Sequence, residues 1–310
     1  MAVRIPFPQA LWQDYLSGRE ATIPPLPVVS NVSDRVIRVL GGNAGPMRLQ
    51  GTNTYLVGTG RSRILIDTGQ GMASWIRDFT KVLEERNLEV SHVLLTHWHG
   101  DHTGGVPDLV AYSPSLSSRV YKNRPDTGQR DILDGQIFRV EGATVRAVYT
   151  PGHAIDHMCF LLEEENALFT GDNVLGHGYT VVEDLNPYME SLELMAGLSC
   201  PLGYPAHGAV ITNLPDMMRE YIKHREFRVE QVFSMLELNR TRVGQGLGRG
   251  GMTLREIVYA IYGNVSDDAE KALAPFLSQV LFKLAEDQMV RFEPGDASRR
   301  RWFVRARRPN

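Results

Sequence analysis

Short apolar runs separated by glycine turns dominate the first two thirds of the chain. Val36-Ile37-Arg38-Val39-Leu40, Asn53-Thr54-Tyr55-Leu56-Val57 and Arg63-Ile64-Leu65-Ile66-Asp67 have the length and side-chain character of strands, with Gly41-Gly42 and Gly58-Thr59-Gly60 between them. From Ala73 to Asn87 the period changes: Ile76, Phe79 and Leu83 share one face and charged residues the other, which predicts an amphipathic helix. His92-Val93-Leu94-Leu95-Thr96 predicts the next strand, and four more follow at Gln136 to Val140, Thr144 to Tyr149, Met158 to Leu162 and Ala167 to Thr170. Asp216 to Asn239 predicts one long, largely polar helix, and Gly244 to Gly251 a flexible linker. Thr253 and Glu256 have the spacing of a capping box, and helices are expected from there, from Asp267 and from Pro275. Met289 to Phe292 and Trp302 to Val304 then predict the arms of a hairpin, which together with the helices makes a winged-helix-like module. Ile23 to Pro27 predicts a stiff, extended entry segment.

Strands alternating with helices place the chain in the α/β class, and 310 residues leave room for one large layered domain plus an appendage. No apolar run approaches the ~18 residues of a membrane helix, and Met1 to Glu20 lacks an apolar signal core. The two cysteines, Cys159 and Cys200, build neither a disulfide framework nor a zinc ribbon. A reducing, cytoplasmic setting is the expectation. A net charge of −3 argues against a protein whose main task is gripping phosphate backbones.

The unusual stretch follows the fourth strand. His97-Trp98-His99-Gly100-Asp101-His102 puts three imidazoles and a carboxylate within six residues. Neutral imidazole and carboxylate suit zinc, manganese or iron, and no thiolate is on offer. So packed a cluster can serve two adjacent ions but cannot complete either shell. Three other apolar or β-branched runs end in candidate partners beside Gly or Pro: His153 after Pro151-Gly152, Asp172 after Gly171, and His207 after Pro205-Ala206. His92, His157, His177 and His224 have weaker claims, although His157, four residues after His153, could face the site.

The order Asp67, His-x-His-x-Asp-His, His153, Asp172, His207 resembles the metallo-β-lactamase superfamily from Val36 to about Gly208. The resemblance implies a four-layer αββα sandwich with two divalent metal ions, zinc being the expected one, at a sheet edge. It implies that His97, His99 and His153 hold one metal, Asp101, His102 and His207 the other, and that Asp172 bridges. Asp67 matches a residue that supports the ligand loop. The implied domains are an extended segment over 1–30, the catalytic domain over 31–243 and the winged-helix-like module over 252–305.

Flanking motifs narrow the likeness. Gln50 to Leu56, Pro151 to Phe160 and Phe169 to Gly178 are similar to the β-lactamase-like protein 2 group. Closer still, Thr96 to Leu109 (THWHGDHTGGVPDL), Asp134 to Val148 (DGQIFRVEGATVRAV) and Gly203 to Gly208 (GYPAHG) resemble the fungal atrochrysone carboxyl ACP thioesterases. Those enzymes release aromatic polyketides from the acyl carrier protein of a non-reducing polyketide synthase, by metal-hydroxide hydrolysis or a Claisen-type cyclisation. Two divalent ions against two aspartates leave positive charge where an oxyanion could form. Asp101 would hold the proton of the nucleophile as well as ligate. The carrier protein is the implied partner, and Arg299, Arg300 and Arg301 are the candidates for steering its acidic surface. Ala206 departs from the glycine common in the superfamily at that position. The alternatives are a single-strand endoribonuclease, favoured by the arginines at 299, 300, 301, 305, 307 and 308, a glyoxalase-II-like thioesterase, and a non-catalytic binding protein.

Overall fold

A computed structural model describes residues 23–45, 47–244, 250–296 and 299–305. Residues 1–22 of the expected entry segment, most of the glycine-rich linker, Arg307 and Arg308 lie outside the described residues. The chain divides into two compact units, and among the described residues the first comprises 23–180 with 187–219.

Seven strands form the first sheet in chain order: β1 (Val29–Asn31), β2 (Val36–Leu40), β3 (Asn53–Val57), β4 (Ser62–Ile66), β5 (Glu89–Leu94), β6 (Val120–Lys122) and β7 (Arg130–Asp131). Pairing is antiparallel as far as β4 and parallel from there on. The change of direction comes with the helix α1 (Ala73–Glu85), which makes the β4–β5 crossover. Two more helical segments, α2 (Gly100–Thr103) and α3 (Val106–Tyr112), follow β5. The second sheet has the order β12-β11-β10-β9-β8, made of β8 (Ile137–Val140), β9 (Ala143–Tyr149), β10 (Met158–Leu162), β11 (Ala167–Gly171) and β12 (Leu202–Pro205).

Alternation along the strands explains the layering. Tyr55, Val57, Ile64 and Ile66 meet Phe138, Val145, Ala147, Met158, Phe160, Leu162 and Phe169 between the sheets. Leu56 and Leu65, on the opposite face, pack with Trp75, Phe79, Val82 and Leu83 of α1. The same strands are therefore buried on both sides, which is why they read as continuous apolar runs. On the outer side of the second sheet, the helix α4 (Leu185–Gly197) brings Met195 Sδ within 3.9 Å of Cys159 Sγ. Sheet faces sheet, and helices cover the outside: this is the αββα order.

The second unit comprises residues 181–186, 220–244, 250–296 and 299–305. Its main part starts inside the long helix α5 (Leu214–Gly244), which extends further at both ends than the polar pattern predicts. Met252–Thr253 forms β13, ahead of α6 (Leu254–Tyr262) and α7 (Asp267–Glu286). Val290–Phe292 (β14) and Arg301–Val304 (β15) then make the expected hairpin, and β13 joins β15 on its other edge, a pairing too short to read from sequence. Thr253 and Glu256 close the capping box. The helices expected separately from Asp267 and from Pro275 are a single helix with Pro275 inside it. Proline removes one backbone donor, but the buried stripe of Leu273, Leu277, Val280, Leu281 and Leu284 runs through the defect and holds the helix together. Among the described residues no helix is long and apolar enough to cross a membrane.

Candidate metal centre

Thr96, His97 and the single turn of α2 leave the end of β5, and the loops after β9, β11 and β12 arrive at the same edge. They bring together all seven groups singled out from sequence. The side-chain ligand atoms of His97, His99, His153 and Asp172 lie within 4.8 Å of one another, as do those of Asp101, His102 and His207.

In the first group, His97 Nε2 is 2.9 Å from His99 Nδ1, and His153 Nε2 is 3.2 and 3.1 Å from those two atoms. In the second, Asp101 Oδ2 is 3.3 Å from His207 Nε2 and 3.7 Å from His102 Nε2. Asp172 faces both: Oδ2 is 3.5 Å from His153 Nε2 and 3.6 Å from His102 Nε2, and Oδ1 is 3.4 Å from His207 Nε2. A tetrahedral ion with ligand bonds of ~2.0–2.1 Å separates its ligand atoms by roughly 3.3–3.4 Å. The spacings fit that edge length. His102 Nε2, His207 Nε2 and Asp172 Oδ1 are buried without a hydrogen-bond partner, which a folded protein tolerates only where another group satisfies them. The residues present fit a pair of divalent cations.

Each ring is oriented from behind. Asp67, in a left-handed conformation at the end of β4 (φ +57°), accepts from His102 Nδ1 at 2.8 Å and from the Thr96 backbone N–H at 2.8 Å. Thr96 Oγ1 is 2.9 Å from His97 Nδ1, Thr180 Oγ1 is 3.0 Å from His153 Nδ1, and the Gly51 carbonyl is 3.3 Å from His207 Nδ1. With Nδ1 engaged, each of these histidines presents Nε2 to the cluster, while His99 presents Nδ1. The Gly51–Thr54 run has a structural task here. Thr52 Oγ1 donates to the Asp101 carbonyl, and Asn53 Nδ2 donates to the Pro205 and Gly208 carbonyls that bracket His207. Ala206 is absent from the positive-φ residues, so its methyl costs no backbone strain.

Charge follows from this packing. Burial would push Asp101 up, but the close approach of His207 Nε2 and the positive charges of His102 and His207 bring it down to about 2. Burial likewise would lower His207, yet the Asp172 and Asp101 carboxylates raise it to about 9. His102 lies well above its ordinary value because Asp172 and Asp67 outweigh burial. Burial and the neighbouring His102 and His153 push His97 well below it.

His157 is also buried here, but turned away from the ligand atoms. Its Nε2 accepts the Asp172 backbone N–H at 3.1 Å, and its Nδ1 is 3.0 Å from Thr150 Oγ1. Sequence reasoning missed Thr180, Thr96, Gly51, Lys122 and Asp156, all of which act on the ligand loops through hydrogen bonds. Asp156 inside the His153–His157 run, Thr96 beside His97 and Gly51 inside the Gln50–Leu56 motif carried a positional signal; Thr180 and Lys122 carried none. Arg299, Arg300 and Arg301 are not part of this cluster; they lie in the second unit. Arg301 is engaged with Glu256 at 3.0 Å and with the Gly251 carbonyl at 2.9 Å, and the Arg300 guanidinium stacks 4.6 Å from the Phe292 ring.

The sequence matches the metallo-beta-lactamase superfamily over residues 47–123 and 112–207. It is 76% identical over 310 residues to lactamase-like protein aptB of Emericella nidulans, covering 100% of each chain. Lactamase-like protein nscB of Neosartorya fischeri is 64% identical over 314 residues, 99% of this chain and 96% of that protein. Lactamase-like protein adaB of Aspergillus niger is 66% identical over 307 residues, 98% of this chain and 96% of that one. In solved structures, a beta-lactamase domain protein from Burkholderia ambifaria superposes with a TM-score of 0.72 at 18% identity, over 93% of this chain and 99% of its own. A metallo-beta-lactamase family protein from Thermus thermophilus gives 0.62 at 23% identity, over 89% and 100%. At these identities the structural likeness speaks to the fold.

Proposed function

Because the chain belongs to the metallo-β-lactamase superfamily, we propose that it is a hydrolase holding two divalent cations that cleaves an acyl thioester, releasing an aromatic polyketide of the atrochrysone carboxylic acid kind from an acyl carrier protein. The observation that carries the hydrolytic part is the face-to-face set of seven ligand groups with orphaned inner atoms. In this reading His97, His99 and His153 hold one cation, Asp101, His102 and His207 the other, and Asp172 contacts both. Two such ions, zinc or in its place manganese or iron, supply Lewis acidity and lower the pKa of water to about 7.

The chain's own groups do the rest. Asp101 is the more open of the two carboxylates, 19% exposed against 11% for Asp172, and is held ionised, so it can accept a hydrogen bond from the attacking water and orient it. A carrier thiolate, with a conjugate acid near ~8.5, departs with little protonation, so no side chain need deliver a proton before the C–S bond breaks. Trp98 and Ile155 are about half exposed beside His99 and His153, and the Trp98 and His99 rings are 4.5 Å apart. They offer an apolar, aromatic surface for an acyl group next to the cluster.

The thioester and its carrier rest on the motif resemblance over Thr96–Leu109, Asp134–Val148 and Gly203–Gly208. Arg299, Arg300 and Arg301 are the proposed docking residues, and Arg300 and Arg301 also have partners within the module. Incubation with a carrier-protein-bound polyketide, followed by mass spectrometry, tests the reading. The freed acid or a cyclised product is expected. An intact acyl carrier with metal-loaded protein, alongside cleavage of single-stranded RNA, would replace the reading with the nuclease.

A further inference from the structure

Lys122 and Asp156 are each 2% exposed, and Lys122 Nζ lies 3.0 Å from Asp156 Oδ2. Lys122 ends β6 on the first sheet; Asp156 stands in the loop between β9 and β10 on the second. The ammonium also donates to the Arg124 carbonyl at 2.6 Å and the Asn123 carbonyl at 3.4 Å, which occupies its three protons. The other carboxylate oxygen, Asp156 Oδ1, accepts the backbone N–H of Trp98 at 3.3 Å. Trp98 is the residue between His97 and His99, and Asp156 comes three residues after His153. One carboxylate therefore fastens the loop carrying two of the clustered imidazoles to the loop carrying the third.

As a device for bare stability this pair is a poor choice. Burying two charges carries a desolvation cost that their attraction only partly offsets, and apolar replacements of similar volume are often neutral or stabilising. As a device for geometry it is well suited, since both charged groups have several fixed partners. The Asp101, His102 and His207 group has braces of its own in Gly51 and Thr52, and shares Asp67 with His97, which Asp67 reaches through Thr96 Oγ1. We propose that the buried Lys122–Asp156 pair is a positioning element that sets the three-histidine half of the centre, acting through the Trp98 backbone. The inference rests on the metal-centre reading of the cluster.

The test is metal binding by the full chain, measured with zinc against a chromophoric chelator and with cobalt by its visible spectrum. The double variant K122M/D156L removes both charges together and is expected to fold. It should keep one tight ion and bind the other ~10–100-fold more weakly, with an altered cobalt band for that site alone. K122M/D156N retains an oxygen that can accept from Trp98, and should recover most of the lost affinity. A merely structural role would not produce that difference. Asp156→Glu keeps the charges but displaces the acceptor by one methylene; it covers the case in which the leucine variant does not fold, and should weaken the same ion. Two ions at wild-type affinity in K122M/D156L or in Asp156→Glu would overturn the proposal, as would equal losses in the leucine and asparagine double variants. A wild-type chain that binds neither zinc nor cobalt would defeat the metal-centre reading itself, a distinct result.

Discussion

Loading the centre with metal should expel protons in a number that the packing sets. In the metal-free chain His207 titrates at about 9 and His102 well above its ordinary value, both held up by buried carboxylates that outweigh the effect of burial. At pH 7 both are imidazolium, and an imidazolium has no lone pair to give a cation. Two unperturbed imidazoles would carry only ~0.5 proton between them at that pH, whereas His102 and His207 carry about two. The carboxylates add nothing to this count, because Asp101 lies at about 2 and Asp172 well below its ordinary value. The sign of the pH dependence follows. Raising the pH toward 9 removes protons that the metal would otherwise displace, so apparent affinity continues to rise well above pH 6.5, by up to about tenfold per unit for each proton. The assay is calorimetric titration with zinc at pH 7 in buffers of different ionisation enthalpy, where the slope of observed heat against buffer heat counts protons. A slope of at least about two is expected. A slope of ~0.5 or less, with an affinity that levels off above pH 6.5, would refute the account of how Asp172, Asp101 and Asp67 charge these rings.

Asp172→Asn preserves shape but removes the charge that faces His102, His153 and His207, so metal content and turnover should fall together; two retained ions with near-native turnover would count against the shared carboxylate. Gly152→Ala places a methyl against the Tyr188 backbone at a φ of +132°, and should cost about 2–4 kcal/mol of stability in denaturant melts, with metal affinity falling as the His153 loop shifts. Pro275→Ala restores a backbone donor inside α7 and should stabilise the chain by about 1–3 kcal/mol, read as a higher Tm with unchanged metal binding.

The strands were legible because they are buried on two faces. β2, β3 and β10 appear in sequence at their observed limits, since every residue in them is buried and a glycine or a glutamate follows each run. β13 was not legible: two residues paired to β15 have no periodicity of their own. The single helix through Pro275 was hidden because proline is a local signal, while the stripe from Leu273 to Leu284 that overrides it is a tertiary one. In the centre, ligand types and strand-end positions pointed to all seven clustered groups. Their orienting partners were invisible for a different reason. Thr180 and Gly51 act through a hydroxyl and a carbonyl that any sequence offers in abundance, and Lys122 and Asp156 look like surface charges until the two sheets close over them.

Asp172 has to reach across two groups of ligands, and its placement explains several features at once. β11 and β12 run parallel with a register shift between Phe169 and Gly171, and Gly171 takes a left-handed φ of +52° where a Cβ would strike His157. The irregularity turns the chain at the strand end, so that the Asp172 carboxylate enters the cluster instead of continuing along the sheet. The backbone N–H freed by that turn is buried, and His157 Nε2 accepts it, with Thr150 Oγ1 against the other ring nitrogen. Burial and the positive charge of His153 hold His157 well below its ordinary value, so the ring stays neutral and keeps the lone pair this acceptance requires. His157 is thus a buried histidine that serves the centre without facing it. The glycine, the register shift and the neutral imidazole form one device, and removing any one of them should misplace the carboxylate that the two halves share.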